Sequence, residues 1–284
     1  MLKILLPTDF STNANNAIGY AIKFFAKRDC LFYILHTYTP AFYRMDYLIG
    51  GPSFSAIPDI GVDISMEGLE KTKANILQGH TNPRHQFKLV SAFNLLTDEI
   101  NKIATEKEID MVVMGTQGAS GAKEIFLGTN TVYVIRKANI PVLAVPASFK
   151  YKQVNRILFP SDYWSKYKAS EISTLLDMAT TNNAEITILH VKEEYELTDK
   201  QLENKNHLKA MLKEFPHRFQ ELRGALMPQA VMDYIDDHQL DLLVMMNRQH
   251  NFLERIMWRQ NVDQIGFHVQ VPFLVIRDTS PIDK

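Results

Sequence analysis

The sequence contains a single cysteine, Cys30, so it cannot hold an internal disulfide framework. One cysteine fits a reducing compartment, and its ordinary role is that of a small buried hydrophobe. No apolar run approaches the ~18 residues that a membrane-spanning helix needs. The formal net charge of −1 gives no support for broad electrostatic binding to nucleic acid or to a membrane. These absences predict a cytoplasmic globular protein with neither nucleic acid nor membrane as a partner.

Short segments of the first half recur in the second half in the same order. Residues 4–9 recur at 157–162, residues 34–36 at 188–190, residues 110–114 at 241–245, and residues 141–145 at 272–276. This order predicts a tandem duplication with domains at 1–148 and 154–284, joined by a short polar connection. The offset falls from 154 to 131 between the second and third matches, which places about 23 extra residues in the first copy.

Each copy alternates short apolar runs with segments of helical periodicity. The runs at 2–6, 31–36, 86–90, 111–115 and 142–145 have the length of strands that are buried on both faces of a parallel sheet. Between the first two runs, apolar residues follow helical spacing behind Ser11, a candidate N-cap. The alternation predicts an α/β protein made of two tandem five-stranded parallel-sheet, Rossmann-like domains. Ligands of such sheets bind beyond the carboxyl ends of the strands, where the strand order reverses.

A glycine-rich segment follows the fourth predicted strand, with the spacing Gly115-x2-Gly118-x9-Gly128-Thr129. It is neither a Walker loop nor a GxGxxG fingerprint. Glycines let backbone N–H groups approach an anion closely, and Thr129 and Asn130 fall where the last helix of the copy begins. The segment predicts a phosphate cradle; the alternative is that its glycines only permit tight turns and close packing.

Together with Pro7-Thr8-Asp9 after the first strand and with residues 141–145, this segment resembles the universal stress protein family. The resemblance covers nearly the whole chain as two copies, and it implies an adenine-nucleotide alpha-hydrolase-like fold. For members that keep the glycines it implies binding of ATP, with or without Mg²⁺. Asp9 would then face the adenosine, and Met114 and Gly115 would line the adenine and ribose. The implied nucleotide-binding residues are Pro7, Thr8, Asp9, Met114, Gly115, Gly118, Gly128, Thr129 and Asn130. Ala119 and the segment 91–94 depart from the family pattern.

The second copy lacks the glycine pattern. At the offset of 131, the four motif positions 115, 118, 128 and 129 become Met246, Gln249, Arg259 and Gln260. Their side chains would fill the space that phosphates need, so the sequence predicts one nucleotide site per chain, in the first copy. Two interpretations stay open for the nearby arginines Arg248, Arg255 and Arg259: they bind another anion, or they form a solvated or ion-paired surface.

The second copy would then serve structure and association. The family pairs domains through the fifth strand, so we expect residues 142–145 and 273–276 to lie antiparallel in an intramolecular pseudo-dimer. A homodimer is a further expectation.

No catalytic residue and no metal site is predicted. His36 and His190 end equivalent strands, but neither has a neighbour at metal-ligand spacing, so packing and a hydrogen bond explain them better. Without an evident general base, ATP hydrolysis would be slow at most. The leading hypothesis is therefore an ATP-binding regulator. The alternatives are a ligand-free interaction scaffold and, less favoured, a weak ATPase or adenylating enzyme.

The extra segment of the first copy runs from Tyr38 to about Ser65 and is rich in tyrosine, proline and glycine. It leaves the sheet at the carboxyl edge, where the nucleotide is expected. Two interpretations stay open: a surface loop packed on its own aromatic residues, and a lid that covers the nucleotide. Its glycine and proline content argues against one long helix, although residues 42–49 could form a short one.

Overall fold

The computed structural model describes residues 1–38, 60–116, 128–192, 196–223, 229–247 and 270–277. Its first half contains β1 (Leu2–Pro7), α1 (Thr12–Phe24), β2 (Cys30–Tyr38), α2 (Ile60–Gly79), β3 (His85–Phe93), α3 (Leu96–Lys107), β4 (Met111–Gly115), α4 (Thr129–Lys137) and β5 (Val142–Val145). Its second half contains β6 (Arg156–Pro160), α5 (Ala169–Asn182), β7 (Glu185–Lys192), α6 (Asp199–Met211), β8 (His217–Arg223), α7 (Gln229–His238), β9 (Leu242–Asn247) and β10 (Phe273–Arg277). The predicted α/β class is confirmed.

Within the described ranges, the strands form one sheet in the order β3-β2-β1-β4-β5-β10-β9-β6-β7-β8. Every neighbouring pair is parallel except β5 and β10, where Leu143 lies opposite Leu274 in antiparallel register. The expected pairing of the two fifth strands is therefore present. In each half the strand order reverses between the first and fourth strands, β1 and β4 or β6 and β9. The carboxyl ends of those strands are the places where a doubly wound sheet binds ligands.

Helices cover both faces of the sheet, and the core divides accordingly. One buried cluster joins the even-numbered positions of β2, such as Phe32 and Ile34, to α1, α2, α5 and α6. The other joins the odd-numbered positions, such as Tyr33 and Leu35, to α3, α4 and α7. Because side chains alternate between the faces of a strand, burial on both sides explains the unbroken apolar runs in the sequence.

The connection between the halves is more apolar in its packing than the sequence suggests. Phe149 and Tyr151 pack against the core, and the Tyr151 ring meets the Tyr20 ring edge-on at a centroid distance of 5.5 Å. Asn16 of α1 donates hydrogen bonds to the Pro146 carbonyl at 3.2 Å and to the Phe149 carbonyl at 3.0 Å. The connection therefore packs along α1.

The extra segment of the first copy is only partly described. Residues 39–59, including the short helix predicted at 42–49, lie outside the described residues. Residues 60–65 form the first turns of α2, so the end of this segment is helical. No helix in the described ranges is long and apolar enough to cross a membrane.

Candidate functional site

The chain turns sharply after β1, and the residues of this turn satisfy one another. The Phe10 N–H donates to Thr8 Oγ1 at 3.0 Å, and the Ser11 N–H donates to Asp9 Oδ1 at 3.1 Å. Ser11 in turn caps α1, since its side chain accepts from the Ala14 N–H at 3.2 Å. Phe10 has a φ of 64°, a left-handed backbone conformation that residues other than glycine rarely adopt. The turn is thus held in one shape, with Asp9 exposed at the carboxyl edge of the sheet. We call residues 8–11 the first elbow.

The second half repeats this turn at residues 161–164, the second elbow. Tyr163 has a φ of 59°, and its N–H donates to Ser161 Oγ at 3.2 Å. The Trp164 N–H donates to Asp162 Oδ1 at 3.0 Å. The elbow geometry is therefore common to both copies, and it does not by itself distinguish a nucleotide-binding copy from a degenerate one.

The two strand-end histidines support the elbows. His36 Nδ1 donates to the Thr8 carbonyl at 2.8 Å, because a carbonyl can only accept, and its ring packs on Phe10 at a centroid distance of 4.3 Å. His190 makes the same contact with the Ser161 carbonyl at 2.9 Å and packs on the Tyr163 ring at 5.1 Å. Both histidines thus serve packing and hydrogen bonding, as predicted.

Beside the first elbow, α4 begins at the end of β4. Gly128 is the N-cap of α4, and no side chain caps this terminus within the described residues. The Gly128 N–H donates to the Thr116 carbonyl at 2.6 Å, and Thr131 Oγ1 donates to the Gly115 carbonyl at 2.9 Å. These bonds hold the start of α4 against the end of β4. The first N–H groups of a helix have no intrahelical acceptor, so this terminus can bind an anion.

Gly115 is required by close packing between α1 and β4. A Cβ placed on it would lie 2.6 Å from Asn13 Nδ2 and 2.7 Å from Asn13 Cγ. Asn13 is buried in the first turn of α1, so it has little room to move. The glycine lets the first turn of α1 approach the end of β4 closely.

The structure brings most of the predicted nucleotide-binding residues to one edge. Pro7 ends β1 and Thr8 is buried behind it, whereas Thr129 and Asn130 are exposed at the start of α4. The Met114 side chain is buried in the core cluster that includes residues of α3 and α4. Gly118 lies outside the described residues.

The end of β9 in the second half differs from the end of β4 in the first half. Met246, the counterpart of Gly115, is buried in the core. The next residue, Asn247, donates from Nδ2 to the Ile135 carbonyl at 3.2 Å, near the C-terminus of α4. Residues 248–269, which include the other three altered motif positions, lie outside the described residues. The end of β9 therefore contacts the helix whose other end faces the candidate site.

The sequence did not single out the strand ends next to the elbow. Pro7 pairs with Leu35, so β2 runs three residues beyond β1, and its last residue, Tyr38, pairs with Phe93 of β3. The two rings lie 6.3 Å apart, and Phe93 is 51% exposed. In the second half the corresponding pair is cationic, Lys192 and Arg223. Among the described residues, this position of the carboxyl edge is an aromatic pair in the first copy and a cationic pair in the second.

The sequence analysis also did not predict two features of the first elbow, the backbone conformation of Phe10 and the role of Gly68. Phe10 is the residue whose left-handed backbone makes the turn, and Gly68 of α2 leaves space for its ring, since a Cβ there would lie 2.5 Å from Phe10 Cζ. One signal was available: an aromatic residue follows the aspartate in both copies, as Phe10 and Tyr163. Within the described residues, no group of three His, Cys, Asp or Glu side chains could hold a metal ion.

Comparison with known proteins identifies one family. The universal stress protein family matches residues 1–146 and 154–277. Two universal stress proteins of Methanocaldococcus jannaschii are similar to half of this chain: one is 28% identical over 151 residues, which cover 93% of it, and the other is 31% identical over 149 residues, which cover 81% of it. A crystal structure of a universal stress protein from Archaeoglobus fulgidus has a TM-score of 0.68 at 19% identity, covering 97% of this chain and 96% of that one.

The last of these likenesses is too distant in sequence to show more than the fold, but it extends over both halves. The family match likewise occurs twice, in the order in which the repeats were found in the sequence. The chain therefore belongs to the universal stress protein family, in its tandem two-domain form.

Proposed function

We propose that the first domain, residues 1–148, binds one adenine nucleotide, ATP in the first instance, and that the protein is a nucleotide-responsive regulator. The observation that carries the proposal is the start of α4. This helix terminus has no side-chain cap among the described residues, and it is held beside β1 and β4, where the strand order reverses. A ligand with phosphates at that point would meet N–H groups that have no intrahelical acceptor.

The proposed pose divides the nucleotide between two elements. The phosphates would lie at Gly128, Thr129 and Asn130, where the partial positive charge of the helix favours an anion. The nucleoside would extend toward the first elbow, with Asp9 at the adenosine. Gly118 is assigned to the phosphates by the family pattern alone. A Mg²⁺ ion accompanying the phosphates would be held mainly by the nucleotide and water, as is usual for this cation.

The second domain would associate with the first without a nucleotide of its own. Through β5 and β10 each domain covers an edge that the other would leave open, and Leu143 and Leu274 are fully buried there. We propose that this pairing acts as an intramolecular pseudo-dimer. A second contact between the domains, which the scaffold alternative would also use, is the hydrogen bond from the Asn247 amide to the Ile135 carbonyl of α4.

A substitution at Gly128 tests the proposal. Its φ of −59° and ψ of 146° are accessible to residues with side chains, so Gly128→Val should fold, yet it places a branched side chain where backbone must meet phosphate. We expect equilibrium dialysis with labelled ATP to show binding by the wild type and loss of binding by Gly128→Val. Gly128→Ala should be intermediate, and Gly79→Ala, at the far end of α2, is the control that should bind normally. No binding by the wild type would favour the ligand-free scaffold.

A further inference from the structure

A groove of about 370 Å³ lies between α1 and α2, lined by neither elbow nor α4. On the α1 side it is lined by Asn15, Ile18, Gly19, Ile22 and Lys23. These residues have the spacing i, i+3, i+4, i+7 and i+8, which is one face of a helix. The apolar positions lie in the middle of this stripe, with an amide at one end and an ammonium at the other.

The stripe on α2 has the same spacing and consists of Thr72, Asn75, Ile76, Gly79 and His80. Both helices follow parallel strands and return across the same face of the sheet, so the two stripes run in the same direction. Lys23 and His80 therefore lie at the same end of the groove. From the first to the last residue, each stripe spans about 12 Å, at about 1.5 Å per residue.

Gly19 leaves space in the groove, although no neighbouring side chain requires a glycine at this position. Gly68 and Gly115 are needed because a Cβ at either would overlap a neighbouring side chain. A Cβ at Gly19 would meet nothing within 4 Å, although the residue lies in the interior of α1. Glycine destabilises a helix interior relative to alanine. The sequence therefore leaves room at this position at some cost in helix stability.

The Lys23 ammonium is available to a ligand. Among the residues that the structure describes, it makes no hydrogen bond or ion pair, and no carboxylate lines the groove. Its ordinary role would be to offset the carbonyls at the end of α1. Of these, the carbonyls of Ala21, Lys23 and Phe25 accept backbone hydrogen bonds, and that of Phe25 also accepts from His85.

A histidine pair closes that end of the groove. His85 Nε2 donates to the Phe25 carbonyl at 3.1 Å, and His80 Nε2 lies 3.0 Å from His85 Nδ1. Because the carbonyl accepts from Nε2 of His85, its Nδ1 is the acceptor and His80 Nε2 is the donor. The pair therefore joins the end of α2 to the end of α1 through the start of β3.

We propose that this groove binds a medium-chain carboxylate. Its head group would meet the Lys23 ammonium, and its hydrocarbon chain would lie against the half-buried Ile76 and in the space beside Gly19, above Ile18 and Ile22, which are 2% and 4% exposed. An apolar floor with one unpaired cation at its end suits a ligand with an extended apolar body and a single negative charge. The site is separate from the proposed nucleotide site and does not depend on it.

Three probes test the proposal on the full-length protein, by NMR titration of the uniformly ¹⁵N-labelled chain. Octanoate should shift the amide signals of both stripes, 1-octanol should bind about tenfold more weakly, and acetate should leave the groove unchanged. Lys23→Gln should weaken octanoate binding about tenfold and leave octanol binding unchanged. Lys27→Gln, an exposed lysine of the same region that does not line the groove, is the matched control.

Filling the groove gives an independent test. Gly19→Leu should abolish binding of octanoate and octanol alike, and Gly19→Ala, which fills less space, should weaken both. Gly19→Ala should fold, since the added Cβ meets open space, and circular dichroism checks that Gly19→Leu is folded before its binding is compared. Absence of groove shifts with millimolar octanoate, equal binding of octanol and octanoate, or unchanged binding by folded Gly19→Leu would each overturn the proposal.

Discussion

Two glycines in helix interiors give a matched test of how tightly the first elbow is packed. Gly19 in α1 and Gly68 in α2 would gain about the same helix propensity on replacement by alanine, about 1 kcal/mol. At Gly19 the new methyl group meets open space. At Gly68 it would lie 2.5 to 2.8 Å from three ring atoms of Phe10.

The Phe10 ring cannot move aside freely. Its backbone is held in the left-handed region by the hydrogen bond to Thr8, and the ring packs on His36. Overpacking of this kind costs roughly 1–3 kcal/mol. Gly19→Ala should therefore raise the free energy of unfolding by about 1 kcal/mol, and Gly68→Ala should leave it unchanged or lower it by up to about 2 kcal/mol.

Thermal denaturation followed by circular dichroism measures the difference, at about 2–4 °C per kcal/mol for a domain of this size. A double-mutant cycle with Phe10→Leu isolates the cause, because Gly68→Ala should lose its penalty once the ring is gone. If Gly68→Ala stabilised the protein as much as Gly19→Ala, the ring would not be held as described, and the account of the elbow would be wrong.

Four further predictions concern burial and the contact between the halves. Asp241 is buried and accepts two backbone N–H groups at the start of β6, so Asp241→Ala should lower the free energy of unfolding by about 2–4 kcal/mol in urea denaturation. Burial raises the pKa of the Cys30 thiol to about 11, so at pH 8 a thiol reagent should label it only after denaturation. Leu274→Ala, in the β5–β10 pair, should cost about 2–5 kcal/mol. Arg28→Ala breaks a half-exposed ion pair with Asp177 and should cost less than about 1 kcal/mol in the same assay.

Much of the fold was predictable because burial on both faces of the sheet leaves a strong signal in the sequence. The apolar runs at 31–36 and 111–115 lie within β2 and β4, and Ser11 caps α1 as expected. The antiparallel pairing of the fifth strands was implied by the resemblance to a family that pairs domains through this strand, together with the presence of two copies on one chain.

The helix α6 shows where that reasoning stops. Two of its buried residues, Gln201 and Asn204, are polar, so the segment lacks an apolar stripe. They are buried because Gln201 Nε2 donates to the Asp162 carbonyl at 2.9 Å and Asn204 Nδ2 donates to the Tyr163 carbonyl at 2.8 Å. Hydrogen bonds to the second elbow replace apolar packing there, and hydrophobic periodicity cannot detect them.

The candidate site was predictable in outline only. The glycine spacing identified the start of α4, because a helix terminus and its neighbouring glycines are local in sequence. The close approach of Asn13 to Gly115, and the meeting of Tyr38 with Phe93, depend on the register of distant elements. Burial of Met114 was likewise a matter of which face of β4 it occupies.

The number of nucleotide sites per chain tests the central claim most directly. Isothermal titration calorimetry of ATP into the full-length wild type, with Gly128→Val measured in parallel, counts the sites and locates them. We predict one site per chain in the wild type and none in the variant. Two equivalent sites, or unimpaired binding by folded Gly128→Val, would contradict the assignment of a single nucleotide site to the first domain.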